Sequence, residues 1–150
     1  MGEPGLVRDR IEDIIGLSQI VKASDEDIAW LYPGVSLEDV LRSWRSKGAS
    51  LVVMTKGAEG VTAWAGHQTV SRPTQATSVA DTIGAGDSFM SGLLVALYRR
   101  DLLGGGVDAL ASLPLAELEA CIDFALSCAA VTVSRSGANP PTQKDLDGPG

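Results

Sequence analysis

Histidine, cysteine and aromatic residues are all scarce in this chain. Phe, Trp and Tyr together make up 5% of its 150 residues, there are two cysteines, and His67 is the only histidine. The single imidazole lies in an "AGHQT" turn, and His67 reads as a solvated turn residue rather than a catalytic one. Two cysteines exclude a disulfide framework. Cys121 and Cys128 fall on one helical face about two turns apart, too far to bridge, and read as small core residues. That usage points to a reducing cytoplasm. Long apolar runs are missing too, so no transmembrane helix is expected, and the opening "MGEPGLVRDRIED" lacks the apolar core of a signal peptide. There is no Lys/Arg run, and the formal net charge is −7, which argues against a nucleic-acid or anionic-membrane surface. An anionic ligand stays open, because backbone N–H groups bind phosphate without basic side chains.

What the chain does have is 45% apolar residues, 21% charged residues and 17 glycines, a globular composition long enough for one domain with a core. Helical spacing marks "LVRDRIEDIIGLS". "QIVKAS" reads as a buried strand. "SDEDIAWLYPG" is a helix capped by Ser24 and stopped at Pro33-Gly34, and "SLEDVLRSWRSKG" is a second, capped by Ser36 and ended by Gly48. "SLVVMT" is apolar throughout, as in a strand buried on both faces. "GAEG" is a tight turn, "VTAWA" and "QTVSR" form a hairpin around Gly66, and "TSVAD" is a further short strand. A helix runs from Gly84 to Arg100 with Phe89, Leu93 and Leu97 on one stripe. "GGGVDALASLP" is a Gly-rich loop, "LAELEACIDFALSCAAVTVSR" a buried helix, and "SGANPPTQKDLDGPG" a loose, turn-rich tail. Trp30, Trp44 and Trp64 read as packing anchors. Alternating strands and helices favour a layered α/β domain with a mostly parallel sheet.

The chemistry concentrates in "DTIGAGDSF". Gly84, Ala85 and Gly86 have little or no side chain, so a ligand can approach their backbone. They stand where the first turn of a helix leaves its N–H groups unpaired, and those donors with the helix dipole form an anion hole. Asp87 shares that turn. A carboxylate beside an anion hole can take a proton from a hydroxyl while charge on a transferring phosphoryl group is stabilised. The plainer alternative is a helix start whose acids only cap it.

The string Asp81, Thr82, Gly84, Ala85, Gly86, Asp87, Phe89 resembles the DTxGAGD signature of the ribokinase-like (PfkB) family of carbohydrate kinases. "VVMTKGAEGVTAW" is similar to that family's strand and T-x-G-x-x-G turn, which lies against the nucleotide; Thr55, Gly57 and Gly60 match, with Lys56, Ala58 and Glu59 between them. "VKASDEDIAWL" resembles the family's K-x-N-x-x-E segment, whose Asn and Glu help position phosphate and metal-bound water. Lys22 matches, but Ser24 and Asp27 stand where Asn and Glu are usual, and both also suit a helix cap. "FALSCAAVTVSRSGANPPT" resembles the closing helix and R-x-GA…P-T loop of fructokinase-like members through Arg135, Gly137, Ala138, Pro141 and Thr142. Leu126 replaces a common Asn near the adenine, and the loop between Gly137 and Thr142 is about two residues short.

The resemblance implies a ribokinase-like, Rossmann-like α/β/α domain truncated at its N-terminal half, residues 1–150 being the C-terminal nucleotide-binding and catalytic half. It implies ATP-dependent phosphorylation of a sugar hydroxyl, most like a fructokinase, with Asp87 as base and the amides of Gly84, Ala85 and Gly86 as the anion hole. Ser24, Thr55–Gly60, Gly86 and Asp87 would contact ATP, and Asp27 would assist Mg2+. The family's monovalent-cation site, for K+, would draw on Asp81 and the carbonyls of Ile83, Arg135 and Gly137; for Asp81 the alternative is a hydrogen-bonded turn acid. The partner implied is a small-molecule sugar, with no nucleic acid or membrane. An uncovered sheet edge would favour homo-oligomers or association, and little turnover is expected of this chain alone. Ribose, a nucleoside or 2-keto-3-deoxygluconate stay open as substrates, as does a non-catalytic nucleotide-binding or interaction remnant.

Overall fold

A computed structural model describes residues 4–146, and all structural statements concern these residues. Helix α1 (Pro4–Gly16) leads into strand β1 (Ile20–Ser24), followed by α2 (Asp25–Leu31) and α3 (Leu37–Ser46). Strand β2 (Leu51–Thr55) passes through a 3-10 turn (Gly57–Glu59) into the hairpin of β3 (Val61–Ala65) and β4 (Gln68–Arg72). Helices α4 (Ala85–Tyr98), α5 (Gly106–Ala111), α6 (Leu115–Val133) and α7 (Gln143–Leu146) complete the chain.

The sheet order is β1-β2-β3-β4. The layered α/β class is as expected, but parallel pairing is confined to β1 and β2, with Ile20 opposite Leu51; the hairpin adds two antiparallel pairs. Strand alternation divides the core in two. Leu51, Val53, Val61, Ala63 and Val70 pack with Phe89, Leu93 and Leu97 of α4 and Leu118, Ile122 and Ala125 of α6. Val52 and Met54 turn to the other face, against Ile15, Ile28, Leu31, Val40 and Trp44 of α1–α3. There Trp44 Nε1 donates to Tyr32 Oη at 2.9 Å, and the Tyr32 hydroxyl donates to Glu12 at 3.2 Å. Burial raises the Tyr32 pKa above its ordinary value. Trp30 and Trp64 are half-buried against this cluster, so all three tryptophans pack, and His67 is exposed.

Helices α4 and α6 touch closely at Gly92, where an added Cβ would lie 2.8 Å from Cys128 Sγ and 3.1 Å from Ala125 Cα. The Thr132 and Ser88 hydroxyls hydrogen-bond across the same contact at 2.7 Å. Cys121 and Cys128 are buried free thiols, with pKa values raised by desolvation.

Four readings are corrected. "TSVAD" forms no strand: Ala80 and Asp81 N–H both donate to the Val133 carbonyl at the end of α6, and Val79 is exposed. "GGGVDALASLP" is not all loop, because Leu110 and Leu113, one turn apart, anchor α5 in the core. The tail carries α7, held by Arg135–Asp145 and Thr142–Asp145 contacts; residues 147–150 lie outside the described region. Strand β1 is half-buried along its length rather than buried, because it pairs only with β2 and occupies the sheet edge.

Candidate functional site

Strands β1 and β2 run parallel, so Ser24 and Thr55 end at the same side of the sheet, where α4 also begins. Ligands of open α/β sheets bind at such carboxyl ends.

The start of α4 differs from those of α2 and α3. At α2 the Ser24 hydroxyl accepts from Asp27 N–H (3.0 Å) and Asp27 Oδ2 accepts from Ser24 N–H (3.2 Å), a complete capping box. At α3 the Ser36 hydroxyl accepts from Asp39 N–H. At α4 the cap is Gly84, in the left-handed region at φ 77°, with no side-chain cap bond. That φ is why glycine stands here. Ala85 N–H donates to the Thr82 carbonyl at 3.3 Å and Ser88 N–H to the Gly84 carbonyl at 2.9 Å. The Gly86 and Asp87 amides have no acceptor among the described residues. Asp87 is exposed, and its carboxylate makes no hydrogen bond or ion pair among them.

Two cavities meet at Gly86. One, of about 530 Å3, runs between β1, α1, α2 and α4; Lys22, Asp27 and Asp87 bring charge to a wall otherwise dominated by Ile11, Ile20 and Met90. The other, of about 430 Å3, lies between the Thr55–Gly60 turn and α6 and is strongly apolar. Thr55, Gly57, Ala58 and Gly60 line one side, Thr82, Ala85 and Gly86 the end, and Phe89, Leu126, Ala129 and Val133 the floor. Gly60 is fixed by its surroundings: at φ 100°, a Cβ there would lie 2.1 Å from the Arg72 carbonyl oxygen.

The structure thus brings together Asp87, Gly86 and Asp27 at one cavity, and Gly86, Ala85, Thr55, Gly57, Ala58 and Gly60 at the other. Ser24, Lys56 and Glu59 line neither. The Ser24 hydroxyl is taken up by the α2 cap; Lys56 is half-buried and Glu59 exposed, in a turn closed by the Lys56 N–H to Gly60 carbonyl bond at 2.8 Å. Asp81 closes a loop: Oδ1 accepts from Ile83 N–H and Oδ2 from Gly137 N–H, both at 3.0 Å. Those two bonds hold its carboxyl below the ordinary carboxylate range. Ile83 is exposed, and the Arg135 guanidinium turns to Asp145 at 2.8 Å. Among the described residues no three His, Cys, Asp or Glu side chains cluster as a metal site, and no helix is long and apolar enough to cross a membrane.

Sequence reasoning missed most of the apolar cavity wall. Ala129 and Val133 carry no chemistry; their only signal is their spacing of one and two turns from Leu126.

A family model described as pfkB family carbohydrate kinase matches residues 2–145. The chain belongs to this family. Among curated pfkB relatives, a fructokinase of Rhizobium leguminosarum bv. trifolii is 39% identical over 106 residues, which cover 67% of this chain and 32% of that protein. Among solved structures, a Vibrio cholerae O395 fructokinase double mutant, with fructose, ADP and potassium ion bound, has a TM-score of 0.76 at 27% identity, covering 97% of this chain and 45% of that one. Aminoimidazole riboside kinase from Salmonella enterica, complexed with aminoimidazole riboside and an ATP analogue, has a TM-score of 0.73 at 26% identity, covering 91% and 43%. This pfkB chain therefore spans between about a third and under half of the length of these relatives.

Proposed function

We propose that residues 1–150 act as the nucleotide-binding and catalytic half of an ATP-dependent sugar kinase of fructokinase type. The observation that carries this reading is the position of Gly86, whose unpaired amide stands in the wall shared by the two cavities beside the open carboxylate of Asp87. In this reading ATP lies along the apolar cavity, its base on Leu126, Ala129 and Val133 and its ribose and phosphates against the Thr55–Gly60 turn. The γ-phosphoryl group reaches the free amides of Gly86 and Asp87. The sugar enters from the charged cavity, where Asp87 takes the proton of a hydroxyl as that oxygen bonds to phosphorus and the bond from phosphorus to the ADP oxygen breaks.

Asp27 and Asp87, two carboxylates on one open wall, suit a hard cation that keeps several waters and rides on phosphates. Asp27, with one oxygen kept on the Ser24 amide, would help hold Mg2+ there, and the ion would supply neutralisation of charge on the phosphate oxygens. Both Asp81 oxygens already accept backbone N–H bonds, so the loop is closed without K+, and no step is assigned to a monovalent cation.

The test joins this chain to the remaining portion of the Rhizobium leguminosarum fructokinase and measures ADP formation with fructose, ribose and aminoimidazole riboside. Fructose-dependent turnover that Asp87→Asn abolishes is expected. Turnover indifferent to Asp87→Asn contradicts the assignment.

A further inference from the structure

We propose that Ser88 and Thr132 form a positioning pair, a buried hydroxyl bond from α6 that fixes the rotation of the first turn of α4 and so the direction of the Asp87 carboxylate. This rests on the reading of Asp87 as the base of a sugar kinase. Serine side chains fix the starts of α2 and α3, and at α4 no capping side chain does. Ser88 directly follows Asp87 and closes the same turn, its N–H on the Gly84 carbonyl at 2.9 Å. Neighbouring helix residues point about 100° apart. A Ser88 side chain held toward α6 therefore leaves Asp87 turned outward, where it is exposed. Thr132 reaches both ends of the turn. Its hydroxyl lies 2.7 Å from Ser88 Oγ, and a Cβ built on Gly84 would lie 4.0 Å from its Cγ2. The next residue of α6, Val133, receives the Ala80 and Asp81 N–H groups on its carbonyl, so the loop entering α4 is held at the same point.

The chemistry of this contact supplies direction more than strength. The two helices otherwise meet through apolar groups, among them Phe89, Leu93, Ala125 and Leu126. Among the described residues the buried serines and threonines are Ser88, Thr132 and Thr62, and Thr62 pairs with Ser71 across the β3–β4 hairpin. Two apolar side chains of similar shape would hold α4 on α6 about as well, because a buried neutral hydrogen bond adds little net stability. They would not fix its rotation. Apolar packing tolerates a small turn of the helix, whereas a hydrogen bond weakens steeply as it is misaligned. The Thr132 hydroxyl has a second acceptor, the Cys128 carbonyl of its own helix at 3.1 Å, so Ser88 meets a partner that is itself held.

Melting points of the 150-residue chain, with kcat and KM for fructose in the chimera described above, test this in wild type, Thr132→Val, Thr132→Ser and the double variant Ser88→Ala/Thr132→Val. Thr132→Val leaves the Ser88 hydroxyl unpaired in the core and should melt lower. The double variant replaces both hydroxyls by apolar groups, so its melting point should return close to that of wild type. Its turnover should not return: a base displaced from its proton predicts a kcat about tenfold to a hundredfold below wild type, with KM for fructose within about twofold. Thr132→Ser keeps the hydroxyl and should retain most of the turnover. A double variant with wild-type stability and wild-type kcat overturns the positioning role and leaves the kinase reading in place. So does a kcat that merely follows the melting point across the variants, or a Thr132→Ser variant as slow as Thr132→Val. A wild-type chimera that turns over no sugar, or one indifferent to Asp87→Asn, overturns the reading of Asp87 and this proposal with it.

Discussion

Helices α2 and α4 begin at the same end of the sheet and both line one cavity with their first turns, yet they begin in opposite ways. The first turn of α2 is closed on itself: serine hydroxyl, aspartate carboxylate and backbone amides satisfy one another. The first turn of α4 has a left-handed glycine in place of the capping side chain and leaves the amides of Gly86 and Asp87 open. A side-chain cap stabilises a helix by about 1 kcal/mol. Helices α5 and α6 also begin without such a cap; what sets α4 apart is that its open Gly86 amide stands in the wall shared by two cavities, beside the open carboxylate of Asp87. Stability is recovered a turn later, where Phe89, Leu93 and Leu97 are buried and Gly92 lets α4 settle against α6.

The contrast can be broken most severely at Asp87. In the chimera, Asp87→Asn should lower turnover by roughly two to four orders of magnitude with the melting temperature unchanged, as expected when a general base is lost. The matching change in the other helix, Asp27→Asn, should weaken the α2 cap and lower the melting point, and should lower turnover less than Asp87→Asn, with the loss eased by added Mg2+. Next in size is the support beneath α4. Gly92→Val places a branched side chain against Cys128 and Ala125 and should destabilise the chain by about 1–3 kcal/mol in urea unfolding. Smaller again, Ser36→Ala removes the α3 cap and should lower stability by about 1 kcal/mol without touching nucleotide affinity. The smallest effect concerns α7. Hydrogen bonds from the Thr142 hydroxyl and amide, then the Arg135 pair, lower the Asp145 pKa from 3.8 to about 2. A depressed folded-state value means that this contribution is present above about pH 4 and is lost as the pH falls through 2. Asp145→Asn should therefore lower the melting point slightly at neutral pH, and the difference from wild type should vanish toward pH 2.

The strongly patterned parts of the fold were legible in the sequence. The Ser24 and Ser36 caps, the continuous apolar run of β2 and the Phe89–Leu97 stripe each express a local rule that tertiary contacts reinforce. The errors fall where partners decide. "TSVAD" has strand-forming residues, but its amides are taken by the Val133 carbonyl rather than by a neighbouring strand. Three consecutive glycines hid α5, which is held by the burial of Leu110 and Leu113. In the site, Gly84–Asp87 could be read because its residue types are chemically unusual at a helix start. The apolar cavity could not, because Ala129 and Val133 look like any core residues until the Thr55–Gly60 turn is folded over them.

The central claim is that the open amides of α4, and not the capped amides of α2, receive a phosphate. Amide chemical shifts of the isotopically labelled chain, followed while ADP and then a non-hydrolysable ATP analogue are added, test it directly. The account predicts shifts at Gly86, Asp87 and the Thr55–Gly60 turn, larger at Gly86 and Asp87 for the triphosphate, with Glu26 and Asp27 N–H signals little moved. Saturable binding that leaves Gly86 and Asp87 unshifted would contradict it.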